Sequence, residues 1–129
     1  MTHEQHIKLL ADQAQDDFGA SRALAAAGYY GHALFWAHLV LEKLGKALWV
    51  HRNKNADYPY IHNLLRLLKE SDAELSKKQI EFYAAMNQFH VEGRYAEELK
   101  KIEDSVNKEV CFEYLQKVKS EMQWLLNQM

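Results

Sequence analysis

The sequence has few residues that interrupt helices or form covalent cross-links. Its 129 residues include one proline, five glycines and one cysteine. Cys111 is alone and excludes an internal disulfide, while the scarcity of proline and glycine and the lack of sustained apolar alternation favour helices over strands. Residues 1–10 are too polar for the apolar core of a secretory signal. We therefore expect a helical, cytoplasmic protein.

A net positive charge is also absent. The sequence has 16 basic and 18 acidic residues, which gives a formal net charge of -2. No overall field attracts nucleic acid, so any contact with RNA must come from a local patch. Residues 33–50 are mostly apolar but include Glu42, Lys43 and Lys46, and each central charge would cost about 2.5 to 3.5 kcal/mol in a bilayer. This segment is predicted to be a buried helix of a soluble protein.

Helical periodicity predicts an all-α fold for a single domain that covers residues 1–129. Capping boxes at Thr2/Gln5 and Ser76/Gln79 mark two helix starts, and Gly28 suits a helix end. The predicted helices cover about 3–27, 30–54, 61–71, 76–93 and 105–128. The charged segment 93–107 is predicted to be a solvated connector, and Gly93 is predicted to end the fourth helix. The expected architecture is an up-and-down antiparallel bundle of four long helices plus one short helix.

The second helix is apolar on two sides. One face carries alanine and leucine at helical spacing, and the other carries Phe35, Trp36, Leu39 and Trp49. Such a helix lies either at the centre of a bundle or in a subunit interface. We therefore expect a homodimer.

Motifs for catalysis and metal binding are missing. The sequence has no Walker A, G-x-G-x-x-G, G-x-S-x-G or H-E-x-x-H motif, and Cys111 lies on an apolar stripe where a thiolate is disfavoured. Among the seven histidines, the pairs His3/His6 and His32/His38 do not have spacings that converge on one ion. We expect no catalytic residue, no cofactor and no metal, and in particular no stoichiometric zinc or iron.

Glu42 and Lys46 form the most informative pair. They stand four residues apart in the favoured orientation and share a helix side with Phe35 and Trp49. Neighbouring aromatic side chains exclude water, so this pair is either an ion pair that locks the helix in place or part of a site. The sequence leaves both alternatives open.

His62, Arg94 and Tyr95 are further candidates. A neutral histidine near a helix start, as predicted for His62, suits a phosphate, a carboxylate or a partner chain, although packing is the commoner role. Arg94 and Tyr95 together suit a phosphate and a stacked base, and equally an intramolecular salt bridge. If the segment after the fourth helix lies against the second helix, we expect the Arg94 guanidinium to reach Glu42.

Three segments in this order resemble the HEPN family: GYYGHALFWAHLVLEKLGKALWV, YPYIHNLLRLL and HVEGRYAEEL. The resemblance covers nearly the whole chain. It implies a five-helix antiparallel bundle, a homodimer, binding of a nucleotide or RNA, and a small nucleotidyltransferase encoded alongside as partner. The ligand-binding residues that it implies are Glu42, Lys43, Lys46, His62, Arg94 and Tyr95.

Two departures from the family pattern bear on activity. Ala96 stands where the family often has proline, and no arginine is followed at the required distance by a histidine, so the R-x(4-6)-H motif of the ribonuclease members is absent. We expect a non-catalytic binding module. One alternative is a divergent, toxin-like, metal-independent ribonuclease of a toxin-antitoxin pair, which would use His62 or His90 with Arg94 across a dimer cleft. The other is a purely structural, dimerising domain.

Overall fold

A computed structural model describes residues 1–92 and 94–129, and all regular secondary structure in them is helical. The all-α prediction is confirmed, with one helix more than expected. The elements are α1 (His3–Ala26), α2 (Tyr30–Asn53), α3 (Leu64–Glu70), α4 (Lys77–Met86), a 3-10 turn (Asn87–Phe89), α5 (Ala96–Ser105) and α6 (Lys108–Asn127). The fourth helix ends at Met86, earlier than predicted, and Gly93 lies outside the described residues. None of the described helices combines the length and apolarity needed to cross a bilayer.

Helices α1 and α2 form a hairpin around Gly28. The Thr2/Gln5 capping box opens α1, with backbone to side-chain hydrogen bonds of 2.9 and 3.0 Å. Gly28 has a φ of +89°, a left-handed conformation that glycine adopts without a Cβ penalty, and the chain reverses there. The buried Ser21 hydroxyl then donates to the Ala33 carbonyl at 2.6 Å and ties the two helices together.

Helix α2 is the centre of the bundle and packs against α1, α3 and α6. Its aromatic side is half-buried within the chain itself. The fold therefore covers part of the apolar surface for which the sequence predicted a partner subunit. Helix α6 runs in the same direction as α2, since Cys111 Sγ lies 3.7 Å from the Tyr30 carbonyl at one end and Arg52 bonds Gln128 at the other. Cys111 is fully buried, as predicted, and burial raises its pKa to about 11.

Helix α3 approaches α2 closely at Gly45. A Cβ at this position would lie 2.8 Å from Leu67 Cδ2, inside van der Waals contact. The glycine lets the short helix press against α2 one turn from Glu42. This packing places the residues just before α3 against the polar side of α2.

The segment predicted to be a connector contains helix α5, so that prediction is wrong. Glu97 and Glu98 lie in its first turn, where the helix dipole favours negative charge. Leu99 and Ile102 lie beside Phe35 of α2 and give the helix an apolar contact side. No residue of α5 is buried. The charged segment is therefore solvated, but as a helix.

Candidate functional site

One side of α2 carries three polar residues at intervals of one helical turn. These are His38, Glu42 and Lys46. The first is fully buried, Glu42 is 4% exposed, and the Lys46 side chain is 11% exposed. Burial of so many polar groups on one helix requires partners from other elements.

Glu42 has a partner for each of its carboxylate oxygens. His62 Nδ1 lies 2.6 Å from Oε1, and Lys46 Nζ lies 3.3 Å from Oε2. A carboxylate oxygen can only accept, so His62 Nδ1 is the donor of this short contact. The carboxylate thus fixes the orientation of His62.

Two asparagines hold the residues around α3 and the 3-10 turn together. Asn63 caps α3 by accepting from the Arg66 amide at 3.1 Å. Asn87 accepts from the Leu64 amide at 2.8 Å, and its own amide donates to the Asn63 side chain at 3.2 Å. These contacts fix His62, which precedes the cap, next to His90, which follows the 3-10 turn.

Three histidines from three parts of the chain meet at this point. The rings of His62 and His90 stack with centroids 4.3 Å apart and an interplanar angle of 16°, and the ring of His90 lies 5.3 Å from that of His38. We call His38, Glu42, His62 and His90 the histidine cluster. It joins α2, the segment before α3 and the segment after the 3-10 turn.

Two imidazoles of the cluster, those of His38 and His90, are held in the neutral form. Burial lowers the pKa of His38 to about 4. The charge of Glu42 and, less strongly, the backbone of His62 raise this pKa but do not offset the effect of burial. The contact between the His38 ring and the His62 backbone does not have hydrogen-bond geometry. Burial and the neighbouring His62 also lower the pKa of His90. Both rings are therefore uncharged at neutral pH.

Four buried ring nitrogens of the cluster have no hydrogen-bond partner within the described part of the chain. They are Nδ1 and Nε2 of His38, Nε2 of His62 and Nδ1 of His90. Glu92 Oε2 lies 3.8 Å from His62 Nε2, beyond hydrogen-bond distance. An unpaired buried polar group costs about 1 to 3 kcal/mol, so a ligand or ion that paired with these nitrogens would stabilise the cluster.

Two tyrosines form the outer edge of the cluster. Tyr60 is 78% exposed, and its ring meets the ring of His62 edge-on at a centroid distance of 4.5 Å. The Lys46 ammonium lies 5.2 Å from the ring centroid of Tyr58 and 6.0 Å from that of Tyr60. An exposed aromatic face thus adjoins a cation and a histidine.

Comparison with protein families gives a match over residues 7–128 to the model of the HEPN domain. The chain belongs to the HEPN family. No curated protein and no solved structure matches it. The family resemblance noted in the sequence is thereby confirmed over nearly the whole chain.

The structure of this HEPN domain brings three of the six predicted site residues together: Glu42 and His62 lie in the histidine cluster, and Lys46 lies beside it. Lys43 points to α1 instead and pairs with Asp17 at 2.6 Å. Neighbouring residues on a helix are about 100° apart, so Lys43 and Glu42 cannot face the same element. Tyr95 lies at the start of α5 and is 75% exposed.

Arg94 does not reach Glu42, so the predicted contact is wrong. Its Nε donates to the His90 carbonyl at 2.6 Å, and Nη1 lies 3.5 Å from Glu98. Local partners four residues away are available to Arg94, whereas both oxygens of Glu42 are already engaged. Arg94 therefore supports the backbone of His90 and does not form an ion pair with α2.

Sequence reasoning missed His38, Tyr58 and Tyr60 as site residues and named His90 only within the ribonuclease alternative. A signal for His38 was present, because it stands one turn before Glu42 in a series that continues to Lys46. The pairs His3/His6 and His32/His38 each lie on one helix, so their spacing carries no information on histidines that meet from different elements. Two surface grooves of about 530 Å³ lie elsewhere, one between α4 and α6 and one beside the α3–α4 turn.

Proposed function

We propose that this HEPN domain is a non-catalytic binding module that holds a nucleotide or an RNA end at the outer edge of the histidine cluster. The observation that carries the proposal is the exposed ring of Tyr60 beside His62 and Lys46. Base stacking needs an accessible aromatic face, and a phosphate needs a cation or a donor within a few ångströms of it. We expect this module to act in the cytoplasm.

Local contacts, and not a general positive field, would supply the affinity. Lys46 is paired with Glu42, and Arg94 is close to Glu98. Because these carboxylates offset the cations, few counterions would be released when the ligand binds. We therefore expect a weaker salt dependence than that of a typical basic RNA-binding surface. Tyr95 offers a second exposed ring beyond Arg94 for a longer RNA.

Binding of fluorescent adenosine nucleotides and of short single-stranded RNAs, measured by polarisation, tests the proposal. Tyr60→Ala should weaken binding about 5- to 150-fold, the equivalent of one stacked base at about 1 to 3 kcal/mol. Tyr29→Ala is the matched control, since Tyr29 is 59% exposed at the α1–α2 turn. Equal affinities of the two variants, or no binding by the unmodified chain, would rule out this site.

A homodimer and a nucleotidyltransferase partner belong to the same proposal. Phe35, Trp36, Leu39 and Trp49 are only half-buried on α2, and Phe112 of α6 is 44% exposed. Apolar surface of this kind is typical of an interface. Light scattering should give about twice the chain mass of 15.1 kDa. Mixing with a nucleotidyltransferase encoded alongside should shift the elution of both proteins. A single-chain mass at micromolar concentration contradicts the dimer.

The stacked pair His62 and His90 favours a second candidate, a divergent metal-independent ribonuclease. The two stacked rings each have a nitrogen without a hydrogen-bond partner among the described residues, which suits proton transfer, and Arg94 is held beside His90. RNA cleavage that persists in excess chelator and disappears in both His62→Ala and His90→Ala, but not in His32→Ala, would favour the enzyme. A purely structural role predicts neither binding nor cleavage.

A further inference from the structure

The histidine cluster contains a set of donor atoms suited to a metal ion. One ligand atom each from His38, Glu42 and His90 lies within 4.8 Å of the other two. Ligands of a tetrahedral zinc ion lie about 3.3 Å apart, given bonds of about 2.0 Å. Binding would therefore require these donor atoms to move closer together by up to about 1.5 Å.

The unpaired nitrogens provide a second, independent observation. His38 has 0% exposure, and neither of its ring nitrogens has a hydrogen-bond partner. His90 Nδ1 is unpaired as well. Metal ligation requires a neutral imidazole with a free lone pair, which is the form that burial favours in both rings.

We propose that His38, Glu42 and His90 bind a divalent cation of the zinc class. His62 donates its Nδ1–H to the ligating carboxylate at 2.6 Å and orients it, as outer partners of metal ligands do. Two imidazoles and one carboxylate match the donor preference of zinc and leave a fourth position for water or a ligand group.

The surroundings of Glu42 are compatible with an ion. The Lys46 contact of 3.3 Å is longer than the His62 contact, so this oxygen is the more available of the two. When an ion binds, the Lys46 ammonium can remain over the ring of Tyr58, 5.2 Å away. The ion would add positive charge beside the outer edge of the cluster, where Lys46 is paired with Glu42.

A second group of possible ligands, His62, His90 and Glu92, is less suitable. The side chain of Glu92 is 67% exposed, so ordering it costs conformational entropy. The buried group therefore holds the ion.

Zinc binding can be measured without reference to any nucleotide, so this inference does not depend on the proposed function. Untagged protein stripped with chelator is titrated with Zn²⁺ by calorimetry and in competition with a chromophoric chelator. Co²⁺ then serves as a spectroscopic probe, because its visible absorption intensifies in tetrahedral coordination. We expect one ion per chain, intense cobalt bands and a higher Tm with zinc.

Three variants and a control assign the ion to its ligands. His38→Leu fills the same space without polar atoms and should abolish binding while the protein still folds. His90→Gln should also abolish binding, and it decides the question if His38→Leu fails to fold. His62→Ala should weaken binding about 10- to 100-fold through loss of the outer hydrogen bond. The control is His32→Gln, on the exposed surface of the same helix, which should bind as the unmodified chain does.

Several results would overturn the proposal. They are a folded protein that binds neither Zn²⁺ nor Co²⁺, unchanged affinity in His38→Leu or in His90→Gln, and loss of binding in Glu92→Gln while His38→Leu retains it. The last result would place the ion at the exposed group.

Discussion

Two polar networks in this protein differ in how completely their groups are paired. Between α4 and α6, the buried Tyr83 hydroxyl donates to Glu121 at 2.7 Å, and the Gln79 amide donates to the same carboxylate at 2.9 Å. In the histidine cluster, four buried ring nitrogens have no partner within residues 1–92 and 94–129. One network is saturated by the protein's own groups, and the other is not.

This difference separates a structural role from a functional one. In a saturated network, hydrogen bonds within the protein compensate for the hydrogen bonds to water that its groups lose on burial. Such a network holds two helices in register. An unsaturated network leaves part of that cost uncompensated, and a ligand or ion can supply the missing contacts. By this criterion the contact of Tyr83 with Glu121 is structural, and the histidine cluster is the candidate site.

Glu42→Ala is expected to have the largest effect on stability. It removes the acceptor for both His62 and Lys46 and leaves the ammonium of a largely buried lysine without its counter-charge. Breaking a buried ion pair by removing one partner costs about 3 to 5 kcal/mol. Urea denaturation of metal-free protein at neutral pH measures the difference.

Asp12→Ala is the matched control for that substitution. Asp12 forms an i,i+4 pair with Lys8, but both side chains are mostly exposed, so water replaces the lost contact and stability should hardly change. Similar losses of stability in the two variants would mean that water screens the contacts of Glu42 as effectively as those of Asp12.

Acid should destabilise the protein through His38. Its pKa is about 4 in the folded chain, against 6.5 as the ordinary value, so the unfolded chain binds more protons between pH 6.5 and pH 4. Stability therefore falls as the pH drops through this window. It levels off below it, once both states are protonated. The loss from His38 is about 3 kcal/mol by pH 4.

The His38→Leu variant isolates this contribution. Denaturation curves for the unmodified chain and the variant, recorded in chelator from pH 7 to pH 4, should diverge as the pH falls, with the variant losing less. Parallel curves would show that His38 is protonated in the folded state or has access to water, contrary to its burial.

The smallest expected effects belong to the saturated network. Glu121→Ala leaves the Tyr83 hydroxyl buried without an acceptor and should cost about 1 to 3 kcal/mol, whereas Tyr83→Phe removes the donor and leaves Glu121 with Gln79, for about 0.5 to 1.5 kcal/mol. Thermal denaturation of both variants gives the comparison. Neither should change zinc affinity, and a change would link the two networks.

The sequence predicted most of the fold because helix formation is local. Both capping boxes, the turn at Gly28 and the apolar spacing of α2 act within a few residues, and all three are present in the structure. The end of α4 and the existence of α5 were predicted wrongly. There the favourable dipole and the apolar contacts of Leu99 and Ile102 outweighed the high charge density that suggested a connector.

The contacts of the candidate site also depend partly on local geometry and partly on tertiary packing. The pair of Glu42 and Lys46 follows from helical geometry alone, since residues four apart face the same side. The meeting of His38, His62 and His90 follows from how α3 packs at Gly45 and how Asn87 binds Asn63, contacts between residues more than 20 positions apart. Helical periodicity carries no information about such contacts. The sequence by itself therefore determined the family and most of the helices, and the tertiary structure alone decided which polar groups meet and which remain unpaired.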